Sequence, residues 1–103
     1  MDQVFQALAN STRRSMLQTL ASGEKTVGEL AEPYQISLAA VAKHIDVLER
    51  AGLVRRARAG RTTLCQLRPD MLLEAARVLD YYRTFWNDQL DSLERYFKAR
   101  AGE

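Results

Sequence analysis

The sequence predicts a mainly α-helical domain that carries one small β-hairpin. Apolar residues recur at helical spacing in five segments. Capping residues separate these segments, and one stretch rich in β-favouring residues surrounds Ala59-Gly60. The chain has 103 residues, of which 47% are hydrophobic, so we expect a single domain over residues 1–103. A domain of this size is marginally stable alone, which favours association with a second copy.

Two short helices are predicted first. Asn10 is a suitable N-cap for the second of them, and Gly23 is a suitable stop. Val4, Phe5 and Leu8 sit at helical spacing on the first helix, and Met16, Leu17 and Leu20 are expected to face inward on the second.

A helix-turn-helix is predicted over about residues 26–51. Thr26 and Glu29 form a capping box at the start of the third helix. Pro33 ends that helix, because the helical conformation is disfavoured for the residue before a proline. Ser37 caps the fourth helix. Four apolar residues on the fourth helix, spaced by three and four, are expected to face inward: Leu38, Val41, Ile45 and Leu48.

After Gly52 the pattern changes to a hairpin and then to a long helix. The hairpin covers about residues 53–67, with a glycine at its tip. Pro69 breaks the second strand and suits the start of a helix over about residues 70–99. The apolar residues at helical spacing on the long helix are Leu72, Ala75, Ala76, Leu79, Tyr82, Trp86, Leu90, Leu93 and Phe97.

Positive charge is concentrated in the middle third of the chain. Residues 37–68 contain seven Lys or Arg and two Asp or Glu, which gives +5. Residues 1–36 sum to −1 and residues 69–103 to −2. This asymmetry is expected when one face of a protein meets a polyanion, although a solvated basic surface is the alternative.

Composition also excludes several classes of protein. The single cysteine, Cys65, excludes a disulfide within the chain and indicates a reducing compartment. No apolar run is long enough to span a membrane, and the first residues lack the pattern of a secretion signal. The sequence therefore predicts a cytoplasmic protein. We find no paired acid and base groups, nucleophile–base arrangement or complete phosphate-binding loop, so an enzyme is not predicted.

A helix-turn-helix followed by an arginine-rich hairpin is the arrangement of a winged helix. The second helix of such a domain enters the major groove of DNA, and the wing contacts the backbone or an adjacent minor groove. Opposite the expected inward stripe, the fourth helix presents a face that includes Asp46 and Val47. The predicted DNA-binding residues are Ser37, Ala39, Ala40, Lys43, His44, Arg55, Arg56, Arg58 and Arg61.

These candidates are not equal. Arg58 and Arg61 lie nearest the hairpin tip and are the strongest phosphate contacts, whereas Arg55 and Arg56 are weaker candidates because side chains alternate along a strand. His44 has a second interpretation, a hydrogen bond within the turn. A winged helix that has lost DNA binding and holds a protein partner is the alternative function.

The sequence resembles the ArsR/SmtB family of bacterial winged-helix repressors over nearly its whole length. FQALANSTRRSMLQTL resembles the family's opening, TVGELAEPYQISLAAVAKHIDVLERAGLV its helix-turn-helix, and RRARAGRTTLCQL its wing. The sequence departs from the family pattern at Ser11, where proline is usual, and at Ala42, where serine is usual. The resemblance implies a dimeric repressor that binds an inverted repeat in double-stranded DNA, with the first and last helices packed across a two-fold axis.

The long helix independently favours a homodimer. Its second half carries more apolar surface than a domain of this size can cover, whereas packing on the chain's own core explains only the first half. The predicted interface residues are Val4, Phe5, Leu8, Leu79, Tyr82, Trp86, Leu90, Leu93 and Phe97.

No metal or other cofactor is predicted. Metal-sensing members of the family use a Cys-x-Cys pair on the third helix or ligands on the last helix. This chain has ELAEPYQ at the cysteine position and no histidine after His44, so it resembles the metal-independent branch. Two alternatives stay open, a carboxylate metal site shared across a dimer and an unknown small organic effector in the dimer interface. Their candidate residues are Asp80, Asp88, Asp91 and Glu94 for the metal and Tyr81, Tyr82 and Trp86 for the effector.

Overall fold

A computed structural model describes residues 1–102, which form five helices and three strands. Glu103, the last residue of the predicted domain, lies outside the described residues. The elements are α1 (Asp2–Leu8), α2 (Ser11–Leu20), β1 (Lys25–Thr26), α3 (Val27–Ala31), α4 (Leu38–Arg50), β2 (Val54–Ala59), β3 (Thr62–Leu67) and α5 (Asp70–Ala101).

The helix starts predicted from capping residues are confirmed. The Asn10 side chain accepts a hydrogen bond from the backbone amide three residues later, at 3.0 Å. The Thr26 hydroxyl accepts from the Glu29 amide at 3.1 Å, and the Glu29 carboxylate accepts from the Thr26 amide at 2.9 Å. The Ser37 hydroxyl accepts from the third amide after it at 3.1 Å. Each cap satisfies an amide that has no partner inside its helix.

The sheet contains one strand that the sequence did not reveal. The predicted hairpin is formed by β2 and β3, and Gly60 holds the first position of its two-residue turn with φ +64°. A positive φ at this position matches the twist of the two strands. The third strand, β1, has only two residues and pairs antiparallel with β3, in the order β1-β3-β2. Two residues are too few to show strand periodicity, so only the folded chain identifies them as a strand.

One hydrophobic core lies between α1, α2, α3, α4, the sheet and the start of α5. Its largest fully buried side chains are Val4, Met16, Leu30, Val41, Ile45, Leu48, Leu53 and Cys65. Val4 was predicted at the dimer interface, but its side chain is only 2% exposed and already lies in the core of its own chain.

The orientation of α4 confirms most of the predicted stripe and corrects two positions. Val41, Ile45 and Leu48 are completely buried. The expectation that Leu38 faces inward is wrong, because Leu38 is 62% exposed. Helical spacing gives Leu38 nearly the same direction as Ile45, but the first turn of α4 extends past the core and nothing covers it. Val47, expected on the outer face, is partly buried and packs against the core.

Helix α5 begins in the core and then leaves it. Ala75 is buried and Met71 and Leu72 pack against the core, whereas every described residue from Leu79 to Gly102 is exposed. With a rise of about 1.5 Å per residue, the 32 residues of α5 extend about 48 Å. The described chain is therefore elongated, with principal dimensions of 73 × 28 × 22 Å.

No helix within residues 1–102 combines the length and the apolar character that crossing a membrane requires.

Two leucines of α4 provide a matched test of this orientation. We expect Leu48→Ala to lower the free energy of unfolding by about 2–5 kcal/mol, because it leaves a cavity in the core. The same substitution at Leu38 should change it by no more than about 0.5 kcal/mol, because the side chain is largely exposed. Urea unfolding at one fixed protein concentration measures both. A large loss at Leu38 would contradict its exposed position.

Candidate nucleic-acid interface

The predicted base-reading residues of α4 lie on the side of the helix that the core leaves uncovered. Ser37, Ala39 and Lys43 are exposed, and Ala40 and His44 are partly buried. Burial of Val41 and Ile45 fixes the rotation of the helix about its axis and thus presents these residues together. The first two turns of α4 can therefore approach a DNA groove from one side.

His44 makes a contact that connects α4 to the first two helices. Its Nδ1 lies 3.4 Å from Arg13 Nη1, and the same guanidinium donates to the carbonyl oxygens of Gln6 and Ala7, each at 2.8 Å. Since arginine can only donate, Nδ1 is the acceptor in this contact. The hydrogen bond predicted within the turn is instead made to α2, and Nε2 is left for another partner.

Arg56 holds the wing against α4. Its guanidinium donates to Glu49 Oε1 at 2.8 Å and to Asp46, and its backbone amide donates to Glu49 Oε2 at 3.2 Å. The side-chain hydrogen bond from Arg56 lowers the pKa of the Glu49 carboxyl below its usual value. A guanidinium held by two carboxylates is less available to a phosphate, so Arg56 acts as a brace in this structure and its contact with DNA stays a prediction.

The other wing arginines are exposed at and around the hairpin tip. Arg61 lies in the turn, and Arg58 lies on β2, three residues before Arg61. Because side chains alternate along a strand, Arg58 shares the face of β2 that carries Arg56 and faces α4, whereas Arg55 lies on the other face. Arg58 and Arg61 are thus the wing cations best placed to act together with α4.

Most cations of α4 and the wing lack a carboxylate partner over residues 1–102, whereas three of the five cations of α5 have one. On α5 the pairs Arg77–Glu74, Arg83–Asp80 and Lys98–Glu94 join residues of the same helix. Over residues 1–102 no carboxylate lies within 4.0 Å of six cations of α4, the wing and the residue that follows it, namely Lys43, Arg50, Arg55, Arg58, Arg61 and Arg68. Exposed cations without carboxylate partners are available to a phosphate backbone.

Comparison with known proteins identifies the family. The family model of a helix-turn-helix domain matches residues 8–57. The HTH-type transcriptional regulator Rv2034 of Mycobacterium tuberculosis is 41% identical over 83 residues, which are 81% of this chain and 78% of that protein. The crystal structure of an ArsR family transcriptional regulator matches with 35% identity and a TM-score of 0.77, over 84% of this chain and 94% of that chain. The chain belongs to the ArsR family.

As an ArsR-family member, the protein is a DNA-binding transcriptional regulator and not an enzyme, with the winged helix-turn-helix fold that the sequence predicted. It is also similar to the transcriptional repressor SdpR of Bacillus subtilis, with 31% identity over 75 residues, which are 73% of this chain and 83% of that protein.

The side chains that bind metals are dispersed in this ArsR-family chain. Among residues 1–102, no three His, Cys, Asp or Glu side chains converge closely enough to hold a metal ion. Cys65 lies in the core on β3, where burial raises the pKa of its thiol. Its thiol is therefore kept protonated in the core and acts as a small apolar side chain.

Replacing Glu49 with glutamine tests the brace through its pH dependence. Because the folded-state pKa of Glu49 is lowered from 4.5, its contribution to stability is complete well above pH 4.5 and is lost as the pH falls through the lowered pKa. We expect Glu49→Gln to lower the free energy of unfolding near neutral pH by about 1 kcal/mol. The difference from wild type should shrink below about pH 4.

Denaturant unfolding between about pH 3 and pH 7 measures this dependence. Glu74→Gln is the matched control, because it removes the carboxylate of an ion pair on α5 whose two side chains are at least half exposed. A loss for Glu49→Gln that is equal at both ends of the pH range would contradict an ionised Glu49 as the source of the stabilisation.

Proposed function

We propose that this ArsR-family protein is a homodimeric repressor that binds an inverted-repeat operator at its own or neighbouring genes in the cytoplasm. The unpaired cations along α4 and the wing are the observation that carries the proposal. Lys43 on α4 and Arg58 and Arg61 on the wing are exposed and have no carboxylate within 4.0 Å over residues 1–102. On α5, by contrast, Arg77, Arg83 and Lys98 are ion-paired within their own helix. The similarity to SdpR, a transcriptional repressor, supports repression as the outcome of binding.

α4 and the wing would contact different parts of the DNA. The first two turns of α4 enter the major groove, where Lys43 reaches a guanine or a phosphate and the alanines allow close approach. Arg58 and Arg61 lie over the backbone or the adjacent minor groove. The brace from Arg56 to α4 holds the distance between these two contacts, so both can be made without reordering the wing.

The exposed half of α5 supports association with a second copy. Six large apolar side chains, each more than half exposed, form one stripe: Leu79, Tyr82, Trp86, Leu90, Leu93 and Phe97. At about 100 Å² for a half-exposed large side chain, the stripe offers several hundred Å², as much as the largest apolar patch of a typical monomer. It is continuous with Ala75 and Leu72, which pack on the core.

The spacing of this stripe suits a straight helix pair. Its members follow one another at intervals of three, four, four, three and four residues. The average is that of an undistorted α-helix, so two stripes can face each other with little supercoiling. Phe5 and Leu8 of α1 are partly exposed beside the start of α5 and extend the same surface, whereas Val4 is buried and is left out of the proposed interface. A two-fold dimer would present two copies of α4 to an inverted repeat.

The proposed repressor requires no metal ion. The one cysteine lies in the core, and the one histidine is bonded to Arg13. Two alternatives stay open, a carboxylate metal site shared across the dimer and a small organic effector in the interface. The effector's candidate residues Tyr81, Tyr82 and Trp86 are exposed in one chain, so a site there would be completed only by the second copy.

Loss of wing and helix cations tests the DNA contacts. Arg58→Ala should weaken operator binding and make the slope of log K against log salt concentration shallower by about 2, because a dimer loses one phosphate contact per subunit. Lys43→Ala should also weaken binding. Binding is measured by gel shift on duplexes selected from random DNA, starting at about 50 mM salt.

Arg77→Ala is the matched control, because Arg77 is an exposed cation of α5 that is paired with Glu74. The Arg77→Ala variant should bind the operator with the same affinity and the same salt dependence as wild type. If wild type selects no duplex at about 50 mM salt, where phosphate contacts are strongest, the repressor proposal fails and a protein-interaction module is favoured.

Trp86→Ala tests the dimer. The substitution should raise the dissociation constant of the dimer at least about thirtyfold, as expected for the loss of one central aromatic side chain. Thr84→Ala, on the opposite side of α5, should leave it unchanged. Sedimentation velocity over a range of micromolar concentrations measures both, and a wild-type protein that sediments as a monomer throughout this range would contradict the dimer.

A further inference from the structure

The first two turns of α4 contain few groups that can read bases through hydrogen bonds. Residues 37–44 read SLAAVAKH and include no Arg, Asn, Gln, Asp or Glu. These are the side chains that make the bidentate or accepting contacts with base edges. The Ser37 hydroxyl accepts the cap hydrogen bond, and His44 Nδ1 is occupied by Arg13. In the described chain the Lys43 ammonium, the Ser37 hydroxyl proton and the second ring nitrogen of His44 make no hydrogen bond, and of these only Lys43 has several donors.

An apolar surface occupies the place of those groups. Ile36 is 42% exposed and Leu38 is 62% exposed, with Ala39 exposed and Ala42 partly buried beside them. We call these four residues the apolar leading edge. Exposed large apolar side chains at the end of a helix that the core does not cover are available to a ligand.

The apolar leading edge lies on the side of α4 that faces the wing. Leu38 and Ala42 are four residues apart, and Asp46 and Glu49 continue the same helical row. Asp46 and Glu49 hold Arg56 of β2, so this row of α4 looks toward the wing. Leu38 therefore lies on the side of α4 from which DNA could contact both the helix and Arg58.

The charges around the apolar leading edge favour DNA as its occupant. Lys43 follows it on α4, Arg58 and Arg61 lie on the wing, and none of these cations has a carboxylate within 4.0 Å over residues 1–102. In the major groove, the C5-methyl group of thymine is the apolar group that a base edge presents to an aliphatic side chain. An aliphatic surface on the same helix as Lys43, and on the side of that helix that faces the wing, fits this chemistry.

We propose that the apolar leading edge reads the C5-methyl groups of thymines in the operator, with Leu38 as the principal reader. This inference rests on the proposed function, because it requires α4 to lie in the major groove. Each methyl group that packs on the edge contributes about fourfold to affinity, the factor for burial of one CH₂-sized group. One such contact in each half-site contributes about sixteenfold to the dimer.

Deoxyuridine substitution isolates the methyl group. Duplexes selected from random DNA are rebuilt with deoxyuridine in place of thymine, one symmetric pair of positions at a time. The replacement removes the methyl group and keeps the hydrogen-bonding groups of the base. Wild type should lose about sixteenfold in affinity at one or more symmetric pairs of positions.

A double-mutant cycle assigns the contact to Leu38. In Leu38→Ala, the deoxyuridine duplex should bind nearly as well as the thymine duplex, because the two changes remove the same contact. In Lys43→Ala, the loss caused by deoxyuridine should persist in full. Unfolding measurements on both variants confirm that each remains folded.

Three results overturn the inference while DNA binding stands. The first is that the selected operators have no thymine at any symmetric position. The second is that wild type binds thymine and deoxyuridine duplexes with equal affinity. The third is that deoxyuridine lowers the affinity of Leu38→Ala as much as that of wild type. Absence of binding to any duplex at about 50 mM salt contradicts the proposed function itself, so the two failures are distinguishable.

Discussion

The brace between Arg56 and α4 is the interaction on which the DNA-facing side of this protein depends. One guanidinium on β2 joins Asp46 and Glu49 on α4, and the Arg56 amide adds a further hydrogen bond to Glu49. It fixes the wing relative to the helix, and burial of Val41 and Ile45 fixes the rotation of that helix. The wing and α4, which would otherwise move independently, are therefore held as one surface. This lowers the conformational-entropy cost of binding DNA.

Charge in this chain is divided between structural and available cations. Arg13 donates to Gln6, Ala7 and His44, and Arg56 holds two carboxylates, so both arginines act inside the domain. The exposed cations of α4 and the wing have no such partners in the described residues. Contact with phosphates requires positive charge, which these cations supply. Recognition of a base sequence instead requires groups that contact base edges or fit the shape of the DNA. The exposed aliphatic first turn of α4 fits this division, because the base contacts proposed for it would add discrimination without adding charge.

Helix α5 shows the limit of what one small chain can cover. Its first turns pack on the core through Met71, Leu72 and Ala75, and the same apolar stripe then continues into solvent through Phe97. A domain of about 100 residues has too little interior to bury a 32-residue helix along its length. The stripe thus links two roles in one element, because the residues that stabilise the domain lead directly into the residues proposed to join two copies.

The sequence by itself determined the elements and their order, because caps and glycine stops act through neighbouring residues: Asn10, the Thr26–Glu29 box, Ser37 and Gly60 all do as predicted. The tertiary structure determined which neighbours each side chain contacts. Pairing with β3 made a strand of two residues, and the carboxylates of α4 made Arg56 a brace between the wing and the helix. Leu38 has the direction of a core residue but no neighbour to cover it, since helical spacing specifies an angle and only the folded chain specifies what occupies that direction.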